Sequence, residues 1–305
     1  MERKQIDAVI ERIKSTEKPG QGSDRIKEIV NRLTTDLFYA IEDLDIQPEE
    51  IWKAVDWLTL TGKNNEWGLV AAGIGLEHFL DLRMDEAEAK AGITGGTPRT
   101  IEGPLYVPGS PESVGYAELE TEPEVGAELL YMQGRVLDDQ GKPVQNAKVE
   151  VWHCNLKGMY SIFDSSQPPF NLRRAIITDA EGKYQFKSFL PVGYSCPPGG
   201  ATDTLLKAIG RHGSRPAHIH FFVTAPHYRK LTTQINIEGD PLIWDDFAFA
   251  TRPDLVPHIT RYSAAEAKEK FNRDEPFASI DFDFVIHPEA KGVFSTEIER
   301  THGPV

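Results

Sequence analysis

Cysteine is scarce: Cys154 and Cys196 are the only two in 305 residues. Two cysteines build no disulfide framework, and they form no C-x-x-C pair, so redox-motif and zinc-ribbon readings drop out. In a reducing compartment they read as two free thiols. Long apolar runs are missing too; none approaches the ~20 residues that a membrane-spanning helix needs. Met1 to Ile10 is polar and charged, without the apolar stretch of a signal peptide, and the expected location is the cytoplasm. Positive charge is in short supply, with 33 Lys and Arg against 47 Asp and Glu and a net charge of −14. No basic block is present to attract phosphate, which argues against a nucleic-acid partner. Arg173-Arg174 and Arg211 to Arg215 are clusters that could make a local basic pocket.

What is present suits a globular chain with a sizeable core: 40% hydrophobic and 26% charged residues. The first hundred residues carry helical spacing. Ile26, Ile29, Val30, Leu33, Leu37 and Ile41 share one face, with Ser23 as a candidate N-cap. Pro48 suits a first helical turn, and a further helix is expected over roughly 67–89. After Gly95-Gly96-Thr97-Pro98 the pattern changes to short alternating runs. They cover 130–137, 148–153, 175–178, 184–189, 217–224, 232–237 and 279–286, split by turn residues. The expected fold class is mainly β with α: an antiparallel β-sandwich catalytic domain at 101–305, preceded by an α-helical N-terminal domain at 1–100. The helices carry more apolar positions than a lone surface helix needs, which suggests a dimerisation element. Cys196 to Pro216 reads as a long, functional loop.

Chemistry begins at Arg215-Pro216-Ala217-His218-Ile219-His220-Phe221-Phe222-Val223. Ile219, Phe221 and Val223 form one face of a strand, and His218 and His220 lie on the other. Residues two apart point the same way, so two imidazoles can meet one metal. A polar strand face or core hydrogen bonds would explain the pair equally well. No further histidine, cysteine pair or acidic cluster completes a site. Tyr160, after Lys157-Gly158-Met159, and Tyr194, in Pro191-Val192-Gly193-Tyr194, both sit at strand ends, where functional residues gather. Each alone also fits a packed aromatic with one hydrogen bond.

Several stretches resemble the intradiol ring-cleavage dioxygenases. They are Gln133 to Val136, Asp139 to Pro143, Val149 to His153, Gly158 to Ser161, Arg173 to Asp179, Pro191 to Tyr194 and Arg215 to Phe221. Thr97 to Tyr106, the helical N-terminus and Trp244 to Ala248 resemble the catechol-cleaving branch. The resemblance spans essentially the whole chain. It implies one Fe(III) per subunit held by Tyr160, Tyr194, His218 and His220. Hard phenolate oxygens suit ferric iron, and a phenol of pKa about 10 becomes a phenolate at neutral pH only beside a metal.

The implied substrates are catechol and O2, and the implied product is cis,cis-muconate, in aromatic-compound breakdown by the β-ketoadipate route. Tyr194 would also accept a proton. Arg215 would stabilise negative charge on the ring, and Gln234 would hydrogen-bond the oxygenated intermediate; both are placed beside the substrate. The implied walls are Leu69, Ala72, Ile101, Pro104, Leu105, Phe247 and Ala248. They are apolar, which disfavours a carboxylated substrate. Trp67, Cys154 and Ile162 depart from the branch, Trp67 either packing or narrowing the pocket mouth. A homodimer through the N-terminal helices, with lipid at its interface, is implied as well. The alternatives are a hydroxyquinol or chlorocatechol dioxygenase on the same scaffold, or a non-catalytic sandwich module. Ile101-Glu102-Gly103-Pro104-Leu105 favours catechol over hydroxyquinol.

Overall fold

The structure is a computed structural model that describes residues 1–121, 124–298 and 300. The chain divides into two compact units, Met1–Lys63 and Asn64–Val305.

The first unit holds α1 (Arg3–Lys14), α2 (Asp24–Asp43) and α3 (Pro48–Lys63). Ser23 caps α2 by accepting the Ile26 N–H at 3.4 Å. Pro48 opens α3, where its missing N–H costs nothing. α1 was not legible from spacing; it buries only Ile6 and Ile10. Tyr39 of α2 donates to Asp7 of α1 at 2.5 Å. The apolar stripe of α2, including Ile26, Val30, Leu33 and Leu37, is exposed in the single chain.

The second unit opens with α4 (Trp67–Gly73) and α5 (Leu76–Lys90). One helix was expected here. Gly75 adopts φ +77°, a left-handed conformation that separates α4 from α5. The strands and remaining helices follow in order. First come β1 (Glu112–Val114), β2 (Tyr116–Glu118), β3 (Leu129–Asp138), β4 (Lys148–Trp152), β5 (Arg173–Ile177), β6 (Lys183–Phe189) and β7 (Tyr194–Ser195). Then come α6 (Ala201–Ala208), β8 (Ser214–Arg215), β9 (His218–Thr224), β10 (Leu231–Asn236), β11 (Thr260–Tyr262), α7 (Ala264–Phe271), β12 (Phe277–Asp281) and β13 (Phe284–Ile286). Helix gives way to strand after α5, but the compact units divide after Lys63, so α4 and α5 count with the strands.

One sheet runs β1-β5-β4-β9-β10 and the other β11-β12-β3-β6-β2, with β13 also on β3. The central pairs are antiparallel as expected. The sheets are nevertheless mixed, because β1–β5, β2–β6, β12–β3 and β13–β3 are parallel. Those strands are short and arrive by long connections, so no hairpin fixes their direction. Between the sheets, Val149, Val151, Ile219, Phe221 and Ile235 meet Leu130, Met132, Phe186, Ile280 and Phe284. Phe221 lies 5.0 Å from Phe284, ring to ring.

Cys196 to Pro216 is not a plain loop, since it contains α6. The Glu66 carboxylate accepts the Ala201 and Thr202 N–H groups at 2.9 Å each, satisfying the first turn of that helix. This cap comes from 135 residues away, which local spacing could not show. Among the described residues no helix is long and apolar enough to cross a membrane.

Candidate metal centre

The alternation of β9 sends Ile219, Phe221 and Val223 into the core. His218 and His220 therefore face the outer side of their sheet, and both are 1% exposed. Tyr194 is brought to them by the β7–β8 pair, which sets Tyr194 directly opposite Arg215. Tyr160 follows a turn in which Asn155 Oδ1 accepts the Lys157 and Met159 N–H groups, each at 2.9 Å. Gly158 makes this approach possible. Its φ is +72°, and a Cβ there would lie 2.8 Å from the Tyr194 Cβ.

Four donor atoms converge as a result. Tyr160 Oη is 3.4 Å from Tyr194 Oη, Tyr194 Oη is 3.3 Å from His218 Nε2, and His218 Nε2 is 3.1 Å from His220 Nε2. Ligands bonded at about 2.0–2.2 Å to one cation stand about 3–3.5 Å apart. His218 Nδ1 donates to the Pro216 carbonyl at 2.6 Å, which leaves the lone pair on Nε2, facing the other donors. The His220 ring stacks on Trp152, its cross-strand partner, with centroids 5.0 Å apart and planes 5° apart. Among the described residues, no group of three or more His, Cys, Asp or Glu could hold a metal, so a metal held here would need the tyrosines as donors.

Electrostatics suit a cation at this point. Burial, then Arg215, pushes the His218 imidazole down to about 3, and burial with His218 beside it holds His220 well below the usual range. Both rings are neutral and have lone pairs to give. Burial raises both phenols, Tyr160 further because Tyr194 adjoins it, while Arg215 opposes the rise at Tyr194. Two buried phenols that resist ionisation alone, next to two neutral imidazoles, fit a strongly charged hard cation that displaces the phenolic protons.

Arg215 is 4% exposed and fully engaged. It donates to Asp246 at 3.0 and 3.1 Å, to Gln234 Oε1 at 2.7 Å and to His218 Nε2 at 3.0 Å. Burial opposes its charge, but Asp246 outweighs that and holds the guanidinium above its ordinary value. Gln234, expected beside the substrate, does not line the hollow. Its amide is spent on Arg215 and, at 3.1 Å, on Asn236. Asp246 was missed by sequence reasoning. Its carboxylate also accepts the Ala248 and Ala250 N–H groups at 3.0 and 3.4 Å, tying Arg215 to the wall segment.

A hollow of about 770 Å³ opens over the donors, reaching Tyr160, Tyr194, Arg215 and His220. Leu69, Ala72, Ile101, Pro104, Leu105, Phe247 and Ala248 all line it. Trp67 and Ile162 line it as well, and Trp67 is 47% exposed. Cys154 does not; it packs among Trp152, Tyr160 and Phe222, and its thiol donates to the Val192 carbonyl at 3.3 Å. Glu77 and Arg300 also reach the hollow, paired with each other.

The family described as Dioxygenase matches residues 101–288, and that described as Catechol dioxygenase N terminus matches residues 23–92. The chain belongs to the intradiol catechol dioxygenase family. It is 60% identical to "Catechol 1,2-dioxygenase 2" of Acinetobacter lwoffii over 267 residues, covering 88% of this chain and 96% of that protein. It is 52% identical to the catechol 1,2-dioxygenase of Acinetobacter guillouiae over 294 residues, covering 96% of each. The crystal structure of wild-type Acinetobacter radioresistens catechol 1,2-dioxygenase superposes with a TM-score of 0.94 at 54% identity, covering 99% of this chain and 98% of that one. The hydroxyquinol 1,2-dioxygenase of a Rhizobium strain stands at 32% identity over 293 residues, covering 94% of this chain and 95% of that protein.

Proposed function

We propose that this chain opens the catechol ring between its two oxygenated carbons, adding both atoms of O2 to give cis,cis-muconate. The reading includes one ferric ion per subunit, held by Tyr160, Tyr194, His218 and His220. The observation that carries it is the spacing of the four donors, 3.1 to 3.4 Å between neighbours, beneath an apolar hollow. Two phenol oxygens and two imidazole nitrogens match a hard trivalent cation, not the two-histidine, one-carboxylate set of ferrous oxygenases. When bound, ferric iron supplies Lewis acidity that draws electron density from a catechol dianion.

The protein's own groups do the rest. The apolar walls suit an uncharged aromatic ring. Tyr194, the less buried of the two tyrosines, would as a metal-held tyrosinate take up the proton of an incoming catechol hydroxyl and become a neutral phenol. Arg215 lines the hollow and offers a fixed positive charge where the ring becomes electron-rich. Asp246 and Gln234 hold that guanidinium in place.

Catechol is preferred to hydroxyquinol because Leu69, Ala72, Ile101, Pro104, Leu105, Phe247 and Ala248 give the hollow a mainly apolar wall, and the identity of 60% against 32% supports the same choice. Oxygen uptake with catechol, 4-chlorocatechol and hydroxyquinol tests this. The highest kcat/KM is expected for catechol, with both labelled atoms of 18O2 in the product; dominance of hydroxyquinol would overturn the substrate assignment. The exposed stripe of α2 supports a homodimer through the N-terminal helices, with lipid at the interface. Sedimentation should give twice the chain mass, and an organic extract should contain lipid.

A further inference from the structure

Arg173 has no role in the site as described, yet its surroundings are unusual. It is 1% exposed, and none of its three guanidinium nitrogens has a hydrogen-bond partner. No other arginine among the described residues has all three buried and unpartnered. A guanidinium keeps its charge in proteins, and a buried charge without partners is costly. The side chain lies on β5 opposite Trp152, the residue whose ring stacks on His220. Its Cζ stands over the Tyr160 ring, 5.4 Å from the centroid. Burial works against its charge and pulls it down to about 10, while three phenols favour the charge: Tyr160 first, then Tyr106 and Tyr194. Tyr106 already donates to Glu150 at 2.8 Å.

We propose that Arg173 is a positioning residue, a built-in counter-cation for the Tyr160 phenolate that sets how strongly this oxygen donates electrons to its metal. The proposal rests on the ferric tyrosinate reading above. While Tyr160 is a neutral phenol, Arg173 has only a cation–π contact. Once Tyr160 becomes a phenolate, the same guanidinium faces an anion in buried surroundings, where attraction is strong. The charge stands over the ring, 5.4 Å from its centroid, and so acts directly on the phenolate electrons. It therefore lowers the energy of those electrons, and moving one from tyrosinate to metal takes more energy.

The test is the tyrosinate-to-iron absorption band of ferric-reconstituted protein, compared for wild type, Arg173→Lys, Arg173→Gln and Arg173→Met, with folding checked by circular dichroism. The neutral variants should move the band to longer wavelength, on the order of 10 nm. Arg173→Lys should move it less in the same direction, because an ammonium is compact and does not lie flat over a ring. Unmoved bands in folded, coloured neutral variants would reduce Arg173 to packing and overturn the proposal. If the neutral variants do not fold, Arg173→Lys decides alone: a small shift to longer wavelength supports the proposal, and an unmoved band overturns it. A wild-type protein without any visible band would instead remove the ferric tyrosinate reading itself.

Discussion

Two hollows in the second unit, the one over the four donors and the one beside α5, differ in what their polar side chains face. The first is walled mainly by apolar residues, and Tyr160, Tyr194 and His220 among its lining belong to the cluster of four donors. The second, about 420 Å³, is lined by Asp81, Asp85, Glu88, Arg99, Arg229 and Arg300 among others. It is far richer in charge, but the charges answer one another. Arg99 bonds Asp85 at 2.7 Å and also Glu88, Glu88 bonds Arg229, and Asp85 meets Arg252 at 3.3 Å. Density of charge therefore does not mark the reactive place. Two phenol oxygens and two imidazole nitrogens gathered within 3.1 to 3.4 Å of their neighbours do.

The contrast breaks first at the donors. His220→Ala should abolish metal retention and lower turnover on the order of 10³-fold or more, read by metal content and oxygen uptake. Turnover that persists with bound metal would mean His220 is not a ligand. Asp246→Asn comes next. It removes the ionic partner of Arg215 but keeps a hydrogen-bonding shape, so kcat should fall roughly 10²-fold with less change in KM. An unchanged kcat would show that Arg215 needs no anchor.

In the charged hollow the expected cost is to stability, not chemistry. Glu88→Gln leaves Arg99 and Arg229 short of a partner and should destabilise by about 2–4 kcal/mol in denaturant, with kcat/KM for catechol unchanged. A matching loss of activity in folded protein would tie the two hollows together. The smallest effect belongs to Asp81. Burial raises its carboxyl from 3.8 to about 7, and Oδ2 has no partner. Between pH 4 and 7 the folded chain thus holds a proton that the unfolded chain has lost, so this group's contribution falls as pH rises through that window. Asp81→Asn should stabilise by ~1–2 kcal/mol at pH 8 relative to its effect at pH 4. Equal effects at both pH values would show an ordinary carboxylate.

Sequence reading reached the parts governed by local period. The alternation through 217–224 separates core from site, and Ser23 and Pro48 mark helix starts with their own chemistry. The four donors were reached by resemblance, because Tyr160 and Tyr194 have no diagnostic spacing from His218. What stayed hidden depends on contacts distant in sequence. Arg215 meets Tyr194 through a two-residue ladder that closes a long segment, and α6 is capped by Glu66. Asp246 followed by accepting contacts two and four residues on is the pattern of an Asx turn, but that pattern does not name Arg215 as its partner. The parallel edge strands are hidden for the same reason, since direction is set by long connections.

The central claim is the ferric tyrosinate centre, and a visible absorption spectrum of ferric-reconstituted protein, before and after anaerobic catechol, addresses it most directly. The account predicts a red-brown protein whose tyrosinate-to-iron band moves to longer wavelength when catechol binds. A protein that holds iron and stays colourless would contradict it.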